Sequence, residues 1–305
     1  MEAQTPPYQT RPHSQNSAPS SSSSSSSSVA RQWRPDAQRN LRNQWSKLNL
    51  LRQDWRTAAS AGRSHATAIV NSYLSQKYMD GMEFGVLSDM SDIRKKASYK
   101  LFKQQELDRG RLLKSYRDMV GVLTDMVRIC KSMRCYSRGT SNSPLAQFSF
   151  SSEDGSDSGD CGGIPVFRFR SIASFEELAL EIARMFISEL NLKRLLVVEF
   201  LSIYDEKVAE AIVLSWSDEL YEGEFNDLAT LNLYSVETHK LNPPSLRNCN
   251  PSTSNMQSKR QQDSNVLQIY ITTWLADVNL DKCRMEEIFG IAGGEMHVDF
   301  LETPA

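Results

Sequence analysis

From Asp36 to about Tyr78 the chain contains one glycine and no proline, and small or apolar residues recur along it at helical spacing. Trp45, Leu48, Trp55, Ala59, Gly62, Ala66, Ile69 and Tyr73 follow intervals of 3 and 4, with Arg52 in one seam position. A stripe held over about four heptads predicts one long helix, roughly 60 Å in length, packed against another helix. Asp80 to Gly85 then supplies a turn, and Ser91 or Asp92 suits the N-cap of a second helix. That helix carries its own stripe, Leu112, Tyr116, Met119, Leu123, Met126, Cys130 and Met133, and is expected to stop at Arg138-Gly139. Two long helices joined by about a dozen residues bury both seams most simply as an antiparallel hairpin.

A third helix is expected to begin near Ser174, with Glu177 completing a capping box, and to run on to Tyr204. It is apolar over so wide an arc that neighbours must enclose it or a partner must bind it. Another helix is expected over Lys207 to Tyr221. Val266 to Ile291 reads as two helices, stopped by Gly290, Gly293 and Gly294. Pro165 to Arg170 alternates and is read as an extended lead-in. Stretches rich in Ser, Gly, Pro, Asp and Asn separate these patterns and bury too little apolar area to order themselves. The expected fold is all-α: a long antiparallel coiled-coil hairpin plus a smaller C-terminal helical module. Its expected parts are a disordered tail over 1–36, the hairpin over 37–138 and an acidic Ser/Gly linker over 139–164. A helical module over 165–222, a flexible insert over 223–265 and the C-terminal helices over 266–305 follow.

Charge follows the same division. The whole chain is close to neutral, yet residues 1–138 hold 23 Lys/Arg against 11 Asp/Glu, while residues 139–305 hold 12 against 26. Opposed halves suggest association between them, or a separate partner for each. No apolar run reaches the roughly 18–20 residues of a membrane helix, and the first residues lack the apolar core of a secretory signal. Five cysteines at scattered spacings do not suggest a disulfide framework, so the cytosol or nucleus is expected. Four histidines stand at no metal-ligand interval, and no phosphate-binding or dinucleotide glycine loop or nucleophile elbow is present. Neither a cofactor nor a metal is expected, nor is the chain expected to be an enzyme.

Two segments allow a second reading. Residues 94–138 carry 13 Lys/Arg and four acids, and this face is the solvated side of a coiled coil, a nucleic-acid contact or a surface for acidic partners. The acidic linker is a tether, or offers phosphorylation sites: Ser151 has Asp154 three residues on, and Ser143 precedes Pro144.

Three stretches resemble a known family. Trp45-x-x-Leu48 leads into Trp55-x5-Ala61-Gly62-x3-Ala66-x2-Ile69-x-Asn71. Pro165-Val-Phe leads into a helix with Glu189-Leu-x-Leu-Lys-Arg194. Tyr270-Ile-Thr-Thr-Trp-Leu275 precedes Arg284-Met-Glu-Glu. In this order they resemble the cyclin-dependent kinase 2-interacting protein family, over 45–136, 165–203 and 268–290, around half of the chain. The sequence departs from the family in its longer N-terminal tail and the long stretch from Tyr204 to Asn265. There Val213-Leu-Ser-Trp216 is an alternative to the Trp274 element. The resemblance implies a small non-catalytic helical adaptor, nuclear and with the cytoplasm open as a second location. Its implied partners are cell-cycle kinases, replication and checkpoint factors, and AAA-type ATPases of replication or ribosome biogenesis.

The candidate packing or partner-binding residues are Trp45, Leu48, Trp55, Ile69, Tyr73, Leu190, Leu192, Lys193, Arg194, Trp274 and Leu275. Trp45 and Trp55 are expected against neighbouring helices or at an interface, since aromatic anchors often dominate binding energy. Lys193 and Arg194 are expected to snorkel into water or to rim a groove, and Trp274 to anchor the C-terminal helix. The alternative function is nucleic-acid binding through the basic hairpin.

Overall fold

A computed structural model describes residues 23–79, 81–138, 147–149, 158–204, 214–244 and 264–300. The fold is all-α. Helix α1 (Ser23–Met79) and helix α2 (Ile93–Lys131) form the long antiparallel hairpin, joined through a short 3-10 turn at Gly85–Leu87. Gly85 takes φ +50° there, a conformation that favours glycine. At 57 residues α1 is roughly 85 Å long. Helix α3 (Ile172–Leu201) packs on both helices of the hairpin, and α4 (Glu224–Thr230), α5 (Ser264–Ala276) and α6 (Lys282–Met296) close the bundle. Two short antiparallel ladders complete it: β1 (Tyr136–Arg138) with β2 (Gln147–Ser149), and β3 (Tyr234–Ser235) with β4 (Lys240–Leu241).

The first helix starts earlier than the boundary expected at residue 36. It runs through Pro35 because Trp33, Ala37 and Leu41 extend the apolar stripe and are buried. Trp33 also donates its Nε1–H to the Cys135 carbonyl at 2.9 Å. A proline inside a helix costs about 3 kcal/mol, the same order as the loss on truncating a buried tryptophan, so tertiary packing can override it. The same contacts end α2 seven residues before Arg138. Asn40 takes the carbonyls of Ser132 and Met133 at 2.9 and 3.0 Å, Trp33 takes that of Cys135, and β1 then pairs with β2.

Trp45 and Trp55 do not close the seam with α2 alone. Trp45 meets Phe175 of α3 and Phe289 of α6 edge-on at 6.3 and 5.8 Å, and Trp55 meets Phe186 of α3 at 5.3 Å. Such edge-to-face pairs add about 0.5–1.5 kcal/mol beyond burial. Trp274 on α5 lies over Gly62, where a Cβ would stand 2.7 Å from the indole, and donates to the Ala59 carbonyl at 2.9 Å. The small residue in the α1 stripe is thus a seat for a ring.

Four further expectations are corrected. The cap of α3 is Ser171, whose hydroxyl accepts from the Ser174 backbone, while Ser174 itself takes a hydrogen bond from Arg170. Residues 214–221 form turns instead of the second half of a helix, because their carbonyls serve a buried arginine; residues 207–213 lie outside the described residues. The first part of the expected insert, 223–244, holds α4 and the β3–β4 ladder, with Glu224 and Leu228 fully buried. Gly290, Gly293 and Gly294 lie within α6, which ends at His297 in a left-handed conformation. A Cβ at Gly293 would collide with the Val298 carbonyl, so this glycine lets the tail fold back on the helix.

Candidate functional site

The bundle is built around two charges from consecutive positions of α3. Lys193 and Arg194 are both 0% exposed, which overturns the expectation that they snorkel into water. Lys193 Nζ lies 2.9 Å from Glu189 Oε1, an ion-pair separation without hydrogen-bond geometry, and donates to the Trp274 carbonyl and Asp277 Oδ1 at 2.9 and 3.0 Å. Glu189 Oε2 in turn accepts the backbone N–H of Asn279 at 2.9 Å. The Lys193 ammonium therefore fixes the turn between α5 and α6.

Arg194 faces the other way, since adjacent residues on a helix point about 100° apart. Its guanidinium binds both carboxylate oxygens of Glu224 at 2.8 and 3.1 Å and the carbonyls of Trp216 and Asp218 at 2.7 Å each. It also lies 4.7 Å over the Trp216 ring. Glu224 receives further hydrogen bonds from the Tyr116 hydroxyl and the Leu220 backbone, both at 2.7 Å. Burial first, and the adjoining Glu224 charge second, hold the Tyr116 hydroxyl well above its ordinary pKa. A buried ion pair is tolerable only when its remaining donors and acceptors are satisfied, and here each of Arg194's nitrogens has an acceptor. Lys193 and Arg194 are thus two clasps, one for each returning segment.

The remaining candidates divide by exposure. Trp45, Leu48, Trp55, Ile69, Tyr73, Leu190 and Trp274 are buried in the hydrophobic cluster at the centre of the bundle, Leu192 is half-buried and Leu275 is 56% exposed. Trp274 and Lys193 come together, with Nζ 4.9 Å from the ring. Ser143 and Ser151 lie outside the described residues. Cys130 fills a seam position, and burial pushes its thiol up to about 12, where it is inert. Among the described residues no three His, Cys, Asp or Glu side chains gather to hold a metal, and no helix is long and apolar enough to cross a membrane.

What the bundle leaves open is the far end of the hairpin. From residue 74 to residue 104, Met79 is the one buried residue among those described. Tyr78, Met82, Val86, Leu87, Met90 and Tyr99 are 41–92% exposed on this arm. Its local order comes from Arg94, stacked 4.7 Å over Phe84 and donating to the Met82 carbonyl, and from Gln76 donating to the Ser98 carbonyl at 3.0 Å. Lys95, Lys96, Lys100 and Lys103 are exposed along the start of α2, with Glu83, Asp89 and Asp92 exposed beside them. The candidate site is this apolar tip with its mixed, mainly basic flank. Its signal in the sequence was five apolar residues, Met82, Phe84, Val86, Leu87 and Met90, in a connection where polar residues are the rule; Glu83, Gly85, Ser88 and Asp89 among them make the stretch read as a turn. Glu224 left no such signal, because its role depends on a partner thirty positions away. No protein-family model matches this chain, and no curated protein matches it.

Proposed function

We propose that this chain is a non-catalytic helical adaptor that docks a protein partner through the end of its hairpin. One observation carries the reading: an arm of about thirty residues projects past the bundle with apolar side chains uncovered at its tip. Exposed apolar clusters of this kind mark interaction sites more often than they mark idle surface. The bundle below supplies rigidity, since its aromatic anchors are already committed to one another. On the resemblance to the cyclin-dependent kinase 2-interacting proteins, the partner proposed is a nuclear replication, checkpoint or cell-cycle kinase complex or an AAA-type ATPase of replication or ribosome biogenesis.

Affinity capture of the full chain, compared with a Val86→Asp, Met90→Asp double variant, tests this. AAA-type ATPases or replication factors should be recovered by the native protein and lost with the variant. Recovery of none of them, or equal recovery by both, defeats the reading. The exposed Lys95, Lys96, Lys100 and Lys103 favour one second reading, nucleic-acid binding. Tight duplex or RNA binding whose salt dependence implies several neutralised phosphates would put it first.

A further inference from the structure

A second opening lies away from the arm, where α1 meets the turn between α5 and α6. It is a cleft of about 140 Å³, room for far more than one water, and it is lined by Arg52, Arg56, Arg63 and Lys282 with Trp55 and Trp274. The three arginines stand at i, i+4 and i+11 of α1, so they share one face of the helix. Asp277 is the one acid of the lining, and its carboxylate is already engaged by Lys193. Among the described residues none forms a hydrogen bond or ion pair with the side chains of Arg52, Arg56, Arg63 or Lys282.

Arg52 is the informative member. It is 6% exposed, its Nε has no acceptor, and its guanidinium rests 4.7 Å over the Phe289 ring. Burial and the charge of Arg56 pull it below its ordinary pKa, while Glu286 opposes them. The guanidinium nevertheless stays charged. Three residues on, the buried Trp55 Nε1–H also lacks an acceptor. Two orphaned donors and three further unpaired cations around one cleft call for an acceptor that the chain does not provide. Of the α1 side chains with an orphaned polar atom, Arg52 and Trp55 line this opening, whereas Trp45 and Asn49 do not.

We infer that this cleft is a binding site for a compact oxyanion of the phosphate type, free or carried on a side chain, gripped by Arg52, Arg56, Arg63 and Lys282. Arginine suits it through its planar fork of donors, which matches two phosphate oxygens at once. The site is separate from the arm and does not depend on the adaptor reading.

Trp55 and Trp274 report on the cleft, so the test is a fluorescence titration of the full chain. Inorganic phosphate and phosphoserine are compared with chloride at matched ionic strength. A saturable response to phosphate but not to chloride is expected, weakened at least about tenfold in an Arg56→Gln, Arg63→Gln variant that leaves the core untouched. Arg52→Met, which keeps the buried stem, should abolish the response while its circular dichroism matches the parent. Tighter binding of phosphoserine would assign the phosphate to a side chain, and equal binding would assign it to the free ion. A response that does not saturate, equals that to chloride, or persists unchanged in the double variant overturns the site.

Discussion

Single residues carry unusual weight where charge is buried. Arg194 and Glu224 are satisfied by each other, by the carbonyls of Trp216 and Asp218, and by the Tyr116 hydroxyl and the Leu220 backbone N–H. Arg194→Met is expected to cost about 3–5 kcal/mol, because Glu224 would keep its charge without its partner. The exposed Arg128–Asp125 pair should contribute no more than about 1 kcal/mol. Urea midpoints of Arg194→Met and Arg128→Ala decide between them. Cys130 supplies a pH test. Its thiol is held up to about 12 in the folded protein, whereas an exposed thiol ionises near 8.5. The unfolded chain therefore releases this proton first, so stability is whole below about pH 8.5 and falls as pH climbs toward 12. The fall should be shallower in Cys130→Ala, read as urea midpoints between pH 8 and 10.5. Tyr116, also raised, acts in the same direction and leaves a residual slope.

Elements depend on contacts that local pattern does not encode. Trp33→Ala should lower the thermal midpoint by an amount matching about 3–5 kcal/mol and fray the start of α1, with the helical circular-dichroism signal falling in step. If the midpoint holds, α1 does not need its first turns. The long helices were legible in the sequence because the 3-and-4 spacing of Trp45 to Tyr73 and of Leu112 to Met133 is a property of each helix by itself. The arrangement of Trp33, Asn40 and Ser132 was not, since a helix that crosses a proline or stops at a serine does so for partners about a hundred residues away. Ser171 and Ser174 show the finer limit: both can cap, and the choice falls to Arg170, which occupies the second hydroxyl. The candidate residues on α3 were legible as a motif but not as a mechanism. Lys193-Arg194 on an apolar helix suggests a rim, and only Glu224, Asp277 and Asn279, supplied by later segments, turn it into a pair of internal clasps.

The molecule as a whole does not divide where its charge does. Residues on both sides of position 138 contribute to one hydrophobic cluster, and Arg134 of the basic portion holds Glu176 of the acidic portion at 2.9 Å. The hairpin cut out as residues 1–138 would expose Trp45 and Trp55, whose ring partners lie on α3 and α6. Such a fragment is expected to lose cooperative unfolding and to associate, whereas the full chain melts in one transition; calorimetry and sedimentation of the two compare them directly. The burial of Trp45 has a consequence for how the chain reaches this state. Its ring closes against Phe289 and Phe300, so a part of the core synthesised early is completed by residues about 250 positions later. A nascent hairpin leaves the ribosome with its tryptophans bare and must wait, shielded or at risk of aggregation, until α6 emerges. Topology of such long reach also slows refolding, and the indole signal should develop in a late phase, after the bulk of the helix has formed.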